Sequence, residues 1–303
     1  MRFGCVLPTL GPLSVPDALV RTAQRAEALD YHSLWVADRL LYPLAPRTPY
    51  PASPDGSLPE YFKRCMDPVE ALTFAAAHTR RITLGTSVLN MPFYNPVVLA
   101  RRLATLDLLS GGRARVGLGQ AWSVDELEAV GADPKARASR ADEFMAVLKA
   151  MWGPDPVGFQ GRHFRVARSI VGLKPVQRPH PPIYLAGYVA PALRRAASVA
   201  DGWLPANVPV AGMAQMVPQL HALARQAGRD PGRLEIIYMT PAQVTSAPLD
   251  DAKRGTLCGS AAQVRGDVGR LADLGVTEII GWSGGGTVEE MLQALERFRE
   301  AAG

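Results

Sequence analysis

The sequence predicts an α/β protein, a single (β/α)8 barrel with insertions that fills residues 1–303. Three observations carry this. Strand-like and helix-like stretches alternate from one end to the other, which implies a parallel sheet, since parallel neighbours need a long crossover. Eight such units fit the length of the chain. No linker-like shift in composition divides it, whereas a doubly wound domain would usually stop at six strands and leave a second domain to explain.

The elements follow in order. RFGCVLP (2–8) reads as the first strand, followed by a helix opened by Pro16 with Leu19, Ala23, Ala26 and Leu29 on one face. SLWVAD (33–38) is the second strand. Residues 39–66 form a long Pro-, Tyr- and Ser-rich loop, of a length that is usually functional. A helix begins near Asp67-Pro68, and ITLGTSVL (82–89) is the third strand. Asn95-Pro96 caps and opens a helix with Leu99, Leu103 and Leu106 inward, and Gly111-Gly112 ends it.

ARVGLGQ (114–120) is the fourth strand. Its Gly117-Leu118-Gly119 begins like a dinucleotide fingerprint, but Trp122 stands where the third glycine belongs, so the glycines close a barrel strand instead. Helical stretches around 123–130 and 136–151 precede an inserted hairpin over 153–181. PIYLAG (182–187), GWLPAN (202–207), LEIIYMT (234–240) and VTEIIGWS (276–283) complete the strands. Capping boxes at Ser260/Gln263 and Thr287/Glu290 open the last two helices.

Composition narrows the function. The net charge of +5 is scattered arginine without a basic tract, which argues against nucleic acid and leaves room for an anionic small ligand. Cys5, Cys65 and Cys258 are odd in number and far apart, so neither a disulfide framework nor a zinc cage is expected. No apolar run spans a bilayer and no secretion signal opens the chain, so a cytoplasmic protein is expected.

Barrel enzymes hold their chemistry at the C-terminal strand ends. Here these supply Pro8-Thr9, Asp38-Arg39, Ser87-Val88-Leu89-Asn90, Gly119-Gln120-Ala121-Trp122, Ala186-Gly187-Tyr188, Asn207, Met239-Thr240 and Trp282-Ser283. All five lysines fall in helices or loops, which disfavours a Schiff-base aldolase. Asp38 is the one strand-end carboxylate, the five histidines do not join it, and no metal pattern results. His32 and His78 read as structural. Glycine, amide, hydroxyl and aromatic groups remain, a lining suited to a flat cofactor that brings its own chemistry.

SLWVADR, DPVEALTFAAAHTRRITLGTSVL, NPVVLARRLATLDLLSGGRARVGLGQAW, KPVQRPHPPIYLAG and ADGWLPAN resemble the luciferase-like flavin and deazaflavin superfamily, closest to its branch using coenzyme F420. The resemblance runs through nearly the whole chain and implies a homodimeric barrel transferring a hydride between F420 and a small organic substrate. It implies a non-proline cis peptide under the cofactor ring, matched by Ser87-Val88, and a cofactor phosphate at Ala186-Gly187-Tyr188. It also implies that Gly117 and Gly119 bring the fourth strand close beneath the ligand, with Gln120 and Trp122 facing it.

The chain departs from the family at two points. The usual Asp-His is Asp38-Arg39, and Gln120 stands where alcohol-oxidising members have glutamate. Arginine is not a base near neutral pH, which shifts the expectation towards reduction of an activated C=C, C=O or imine. Arg39 binds an anion in one reading and pairs with Asp38 in the other. An FMN-dependent monooxygenase and a non-catalytic flavin-binding barrel are the competing functions. The 39–66 loop, with Tyr42, Tyr50, Tyr61 and Phe62, is either a lid or disordered.

Overall fold

A computed structural model describes residues 1–282 and 284–303. In chain order, β1 (Arg2–Val6), α1 (Pro16–Ala28) and β2 (Ser33–Val36) lead into α2 (Pro68–His78), β3 (Thr83–Thr86) and β4 (Leu89–Asn90). Next come α3 (Pro96–Ser110), β5 (Ala114–Gly119), α4 (Val124–Ala129) and α5 (Arg137–Trp152). The hairpin β6 (Val157–Gln160) and β7 (Arg165–Ser169) precedes β8 (Ile183–Leu185), α6 (Ala190–Val199), β9 (Gly202–Trp203) and α7 (Val210–Gln226). Finally β10 (Glu235–Pro241), β11 (Gln243–Val244), β12 (Cys258–Gly259), α8 (Ala261–Asp273), β13 (Glu278–Trp282) and α9 (Val288–Ala302) complete the chain.

The main sheet closes into a parallel barrel. β1 lies between β2 and β13, and the ring continues through β10, β9, β8 and β5 back to β3. β3 and β4 are one barrel strand broken at Ser87-Val88, so the expected eight-strand (β/α)8 barrel is the observed architecture. Trp35, Tyr184, Leu204, Ile237 and Ile280 fill its interior, while a larger apolar layer packs the strands against the helices. The buried Arg115, Glu278 and Tyr184, with Glu235, form a charged plug at the N-terminal end. That end is the stability side of such a fold, which leaves the opposite rim for chemistry.

Local signals act where the sequence places them. Asp67 and Asn95 cap α2 and α3, Gly111 ends α3 at φ 70°, and both capping boxes form. The hairpin at 153–181 is present as β6–β7. Several strands end earlier than their hydrophobic runs, because the ladder stops where residues turn onto the rim, whereas β10 runs one residue further, to Pro241. The second strand stops at Val36, freeing Asp38 and Arg39, and the sixth is Gly202–Trp203 with an isolated bridge from Ala206 to Met239. The short parallel pair of β11 and β12 was not foreseen; two residues each carry no periodicity to read. Ser283, named with Trp282 at the last strand end, lies outside the described residues.

The 39–66 loop is folded onto the rim. It carries a 3₁₀ turn at Glu60–Lys63 and a bridge between Cys65 and Leu10. Arg47 pairs with Asp125 and Glu128 on α4, and the Thr48 hydroxyl accepts from the Val124 amide at 3.1 Å.

Candidate active site

The anticipated site residues occupy one arc of adjacent strand ends, on β2, β3, β5 and β8. Asp38 follows β2 and is buried, with its carboxylate accepting from the Asn90 amide at 2.8 Å and from the Tyr94 hydroxyl. Burial pushes its carboxyl up to about 6, against the pull of those two donors; Asp67 and Glu126 add to the rise. Asp38 in turn drives the Tyr94 hydroxyl further above its ordinary range, beyond what burial alone does. Tyr94 was not anticipated. It sits in the turn before α3, and nothing local in the sequence aims it at β2.

Arg39 does not pair with Asp38. Its Nη1 meets Oε2 of Glu126 at 3.1 Å, and both side chains are nearly fully buried, at 6% and 1% exposure. The Glu126 carboxylate also accepts the Leu40 amide at 2.8 Å and the Leu41 amide at 3.3 Å, so it anchors the start of the long loop. The reason is geometric: Asp38 already serves Asn90 and Tyr94, whereas α4 presents a free carboxylate beside the guanidinium. The sequence did hold a signal for Glu126. Ser123-x-x-Glu126 has the spacing of a capping box, and Ser123 caps the Glu126 amide at 3.4 Å, but the Glu126 side chain serves the loop instead. A second strand-end carboxylate therefore exists, supplied by a helix.

Aromatic rings enclose Arg39. Its guanidinium carbon lies 4.7 Å from the Phe62 ring centre and 4.7 Å from that of Trp122. Tyr50 packs against both rings, at 5.2 Å and 5.3 Å. Burial lowers the Arg39 pKa and Glu126 opposes that shift, yet an arginine stays charged. Trp122 is thus committed to Arg39 and Tyr50, while Gln120 stands half-buried at the end of β5.

The Ser87-Val88 peptide is cis. The Ser87 amide donates to the Val36 carbonyl at 2.8 Å, and Val88 packs into the barrel interior beside Trp35 and Leu204. The two glycines of β5 answer to this bulge first. A Cβ on Gly117 would lie 1.9 Å from the Thr86 carbonyl oxygen, and one on Gly119 would lie 2.5 Å from a Val88 methyl. Close approach of β3 and β4 accounts for both before any ligand is invoked.

Across the arc, Gly187 takes φ 126° and its carbonyl accepts the Trp203 indole N–H at 2.9 Å. The Tyr188 hydroxyl donates to the Ala206 carbonyl at 2.7 Å and accepts from the Ala206 amide at 2.8 Å, pinning the turn to the next strand end. The Ala186 amide donates to the Leu118 carbonyl at 3.0 Å. α6 opens behind this turn at Val189, which offers no side-chain cap; Pro191 has no N–H, and the Ala192 and Leu193 amides donate to the Val189 carbonyl at 2.9 Å and 3.1 Å, so the helix start is largely satisfied by its own backbone. His32 and His78 stay structural: the His32 backbone links Phe3 to Thr83, and His78 Nδ1 lies 2.9 Å from the Phe74 carbonyl.

Buried polar atoms without partners each call for an explanation, and a ligand is one of several. Among the described residues these are Thr9 Oγ1, Arg39 Nε and Nη2, Ser87 Oγ and Arg299 Nε. All but the last sit at the ends of β1, β2 and β3, which are neighbours in the barrel. Hydroxyls left unsatisfied beside a bent strand, and a glycine turn leading into the start of α6, fit a flat cofactor with a phosphate tail.

Barrel and rim define an α/β-barrel protein with unpartnered buried polar atoms at three neighbouring strand ends. The chain belongs to the luciferase-like monooxygenase family, whose model matches residues 1–254. It is 31% identical over 284 residues to protein Rv0953c of Mycobacterium tuberculosis, covering 92% of this chain and 91% of that one. It is 31% identical over 193 residues to the F420-dependent glucose-6-phosphate dehydrogenase of Amycolatopsis mediterranei, covering 62% and 53%. Over 155 residues it is 31% identical to the FMNH2-dependent dimethylsulfone monooxygenase of Pseudomonas putida, covering 50% and 42%. An F420-dependent secondary alcohol dehydrogenase solved with an F420–acetone adduct shares the fold, with TM-score 0.81 at 18% identity, covering 100% and 99%. The family comprises flavin- or F420-dependent oxidoreductases and monooxygenases, and relatives of both cofactor types are among these.

Proposed function

We propose that the protein is an oxidoreductase using coenzyme F420, reducing an activated C=C, C=O or imine in a small organic substrate. The observation that carries the reading is Asp38: a buried carboxyl raised to about 6, at the strand ends, beside a Tyr94 hydroxyl. A group that titrates near working pH can hold a proton and deliver it to a product. Arg39 cannot do so, and Glu126 is engaged by Arg39 and two loop amides.

When bound, F420 supplies the hydride. Ser87 and Val88 would support its ring, with the unpartnered Ser87 and Thr9 hydroxyls available to its polar edge. Gly187, Tyr188 and the start of α6 would take its phosphate, by the attraction of a helix N-terminus for anions. Asp38, hydrogen-bonded to Tyr94, would hold the proton on the substrate side. The folded loop of residues 39–66 keeps water away from that proton. The replacement here of the histidine and glutamate by Arg39 and Gln120 supports this direction of chemistry over alcohol oxidation.

A fluorescence titration of the purified protein with oxidised F420, and in parallel with FMN, tests the reading. Micromolar binding of F420 without an FMN response is expected. Binding of FMN alone would replace it with a monooxygenase fed by a separate reductase, and binding of neither would favour a non-catalytic barrel.

A further inference from the structure

Among the described arginines with buried nitrogens lacking a partner, Arg39 has two such atoms and Arg299 one, whereas Arg115 and Arg113 use their donors. Arg115 donates from Nε and Nη2 to the Tyr184 hydroxyl and from Nη1 to Glu278. Arg113 spends Nε, Nη1 and Nη2 on backbone carbonyls of Ser110, Ile82 and Ala76. Arg39 uses only Nη1, on Glu126, and leaves Nε and Nη2 without a partner although its side chain is 6% exposed. Those two atoms form one edge of the guanidinium, with two parallel N–H bonds at the spacing of carboxylate oxygens. Leaving that edge empty in a buried site costs the desolvation of both donors, so a residue placed only to staple the loop would have used it.

Other features point the same way. The Phe62 and Trp122 ring centres each lie 4.7 Å from the guanidinium carbon, so aromatic surface crowds the group and narrows the approach to its unused edge. Glu126 fixes the rotation of the group about that plane by holding Nη1. Asp38, the adjacent residue, carries the proton-active carboxyl on the same strand end.

We propose that the substrate carries a carboxylate, bound side-on by Nε and Nη2 of Arg39, which anchors its reducible bond at this rim. The proposal rests on the hydride-transfer reading for the identity of that bond, but not for the binding itself. Nε and Nη2 are shut off from solvent, and Tyr50 and Phe62 of the 39–66 loop help to enclose them. Entry therefore requires that segment to lift, and the bound anion then takes up both orphaned donors.

Calorimetric titration of the full-length protein with crotonate, benzoate and cinnamate, each against its primary amide, tests this with and without oxidised F420. At least one acid is expected to bind ten-fold or more tightly than its amide. Arg39→Lys keeps the charge but loses the parallel pair, and is expected to lose most of that preference; Arg39→Gln should abolish it. Melting curves establish that both variants are folded. Equal binding of acids and amides, binding of none of the acids, or an Arg39→Lys protein with unchanged preference would overturn the proposal. Displacement of the acid by F420 would also overturn it, by assigning the fork to the cofactor's own anionic tail. Failure of F420 to bind, with the acid preference intact, would count against the proposed function alone.

Discussion

Replacing Asp38 by asparagine separates the stability of the site from its chemistry. Burial raises the Asp38 carboxyl from 3.8 to about 6, so between those values the folded chain binds the proton and the unfolded chain does not. The sign follows from linkage: the stability associated with the protonated group is complete below the lower value and is lost as pH rises through about 6. A shift of two units corresponds to about 3 kcal/mol of penalty at pH 8, of which about 1.6 kcal/mol is already present at pH 5. Asparagine carries no such penalty and keeps an oxygen to accept the Asn90 amide. Changes in packing or hydrogen bonding alter Asp38→Asn by a constant, so the pH-dependent part, about 1.4 kcal/mol between pH 5 and 8, is the diagnostic quantity. With an unfolding entropy of about 0.6 kcal/mol/K for a chain of 303 residues, the Tm of the variant relative to wild type should rise by about 2 °C over that interval. Scanning calorimetry of both proteins at the two pH values reads this directly. A Tm difference that is flat with pH, or that shrinks towards pH 8, would refute an Asp38 ionised against its surroundings. In the loaded enzyme the same variant should lose roughly 10²–10⁴ in turnover, the range for removing a proton donor.

Removing Glu126 should strand the buried Arg39 charge and free the loop. Glu126→Ala is expected to cost about 3–5 kcal/mol, lowering Tm by about 5–8 °C and speeding tryptic cleavage after Arg47; a Tm within about a degree of wild type would show the pair to be dispensable. Glycine substitutions should have opposite signs at two positions. Gly117→Ala meets the Thr86 carbonyl at 1.9 Å and is expected to prevent folding or lower Tm steeply, whereas Gly269→Ala, in α8 with no atom within 4 Å of the new Cβ, should gain up to about 1 kcal/mol of helix propensity. Parallel melts of the soluble fractions check both, and a well-folded Gly117→Ala protein would mean that the β3–β4 bulge is not held against β5.

The difference between what could and could not be read from the sequence lies in the range of the interactions. Strand and helix identities rest on periodicity and capping, which are local, and Asp67, Asn95, Ser260 and Thr287 cap the helices the sequence assigns to them. The strand ends follow once eight parallel strands are accepted, so Asp38, Arg39, Ser87 and Gly187 fall on the rim without further information. Partner choice does not follow, because it is settled between elements far apart in the chain. Arg39 and Asp38 are adjacent in sequence, yet neighbours on a nearly extended chain point in different directions, and the carboxylate that reaches Arg39 comes from a helix 87 positions away. Tyr94 reaches Asp38 in the same non-local way. The glycines of β5 are a further case. The resemblance implies that they bring the strand beneath a ligand, and the atoms that forbid a side chain there belong to Thr86 and Val88. A ligand-facing role for that strand must therefore pass through the bulge it supports. If Ser87 and Val88 meet the cofactor, Gly117 and Gly119 act by placing them, and substituting either glycine should damage cofactor binding only together with the fold.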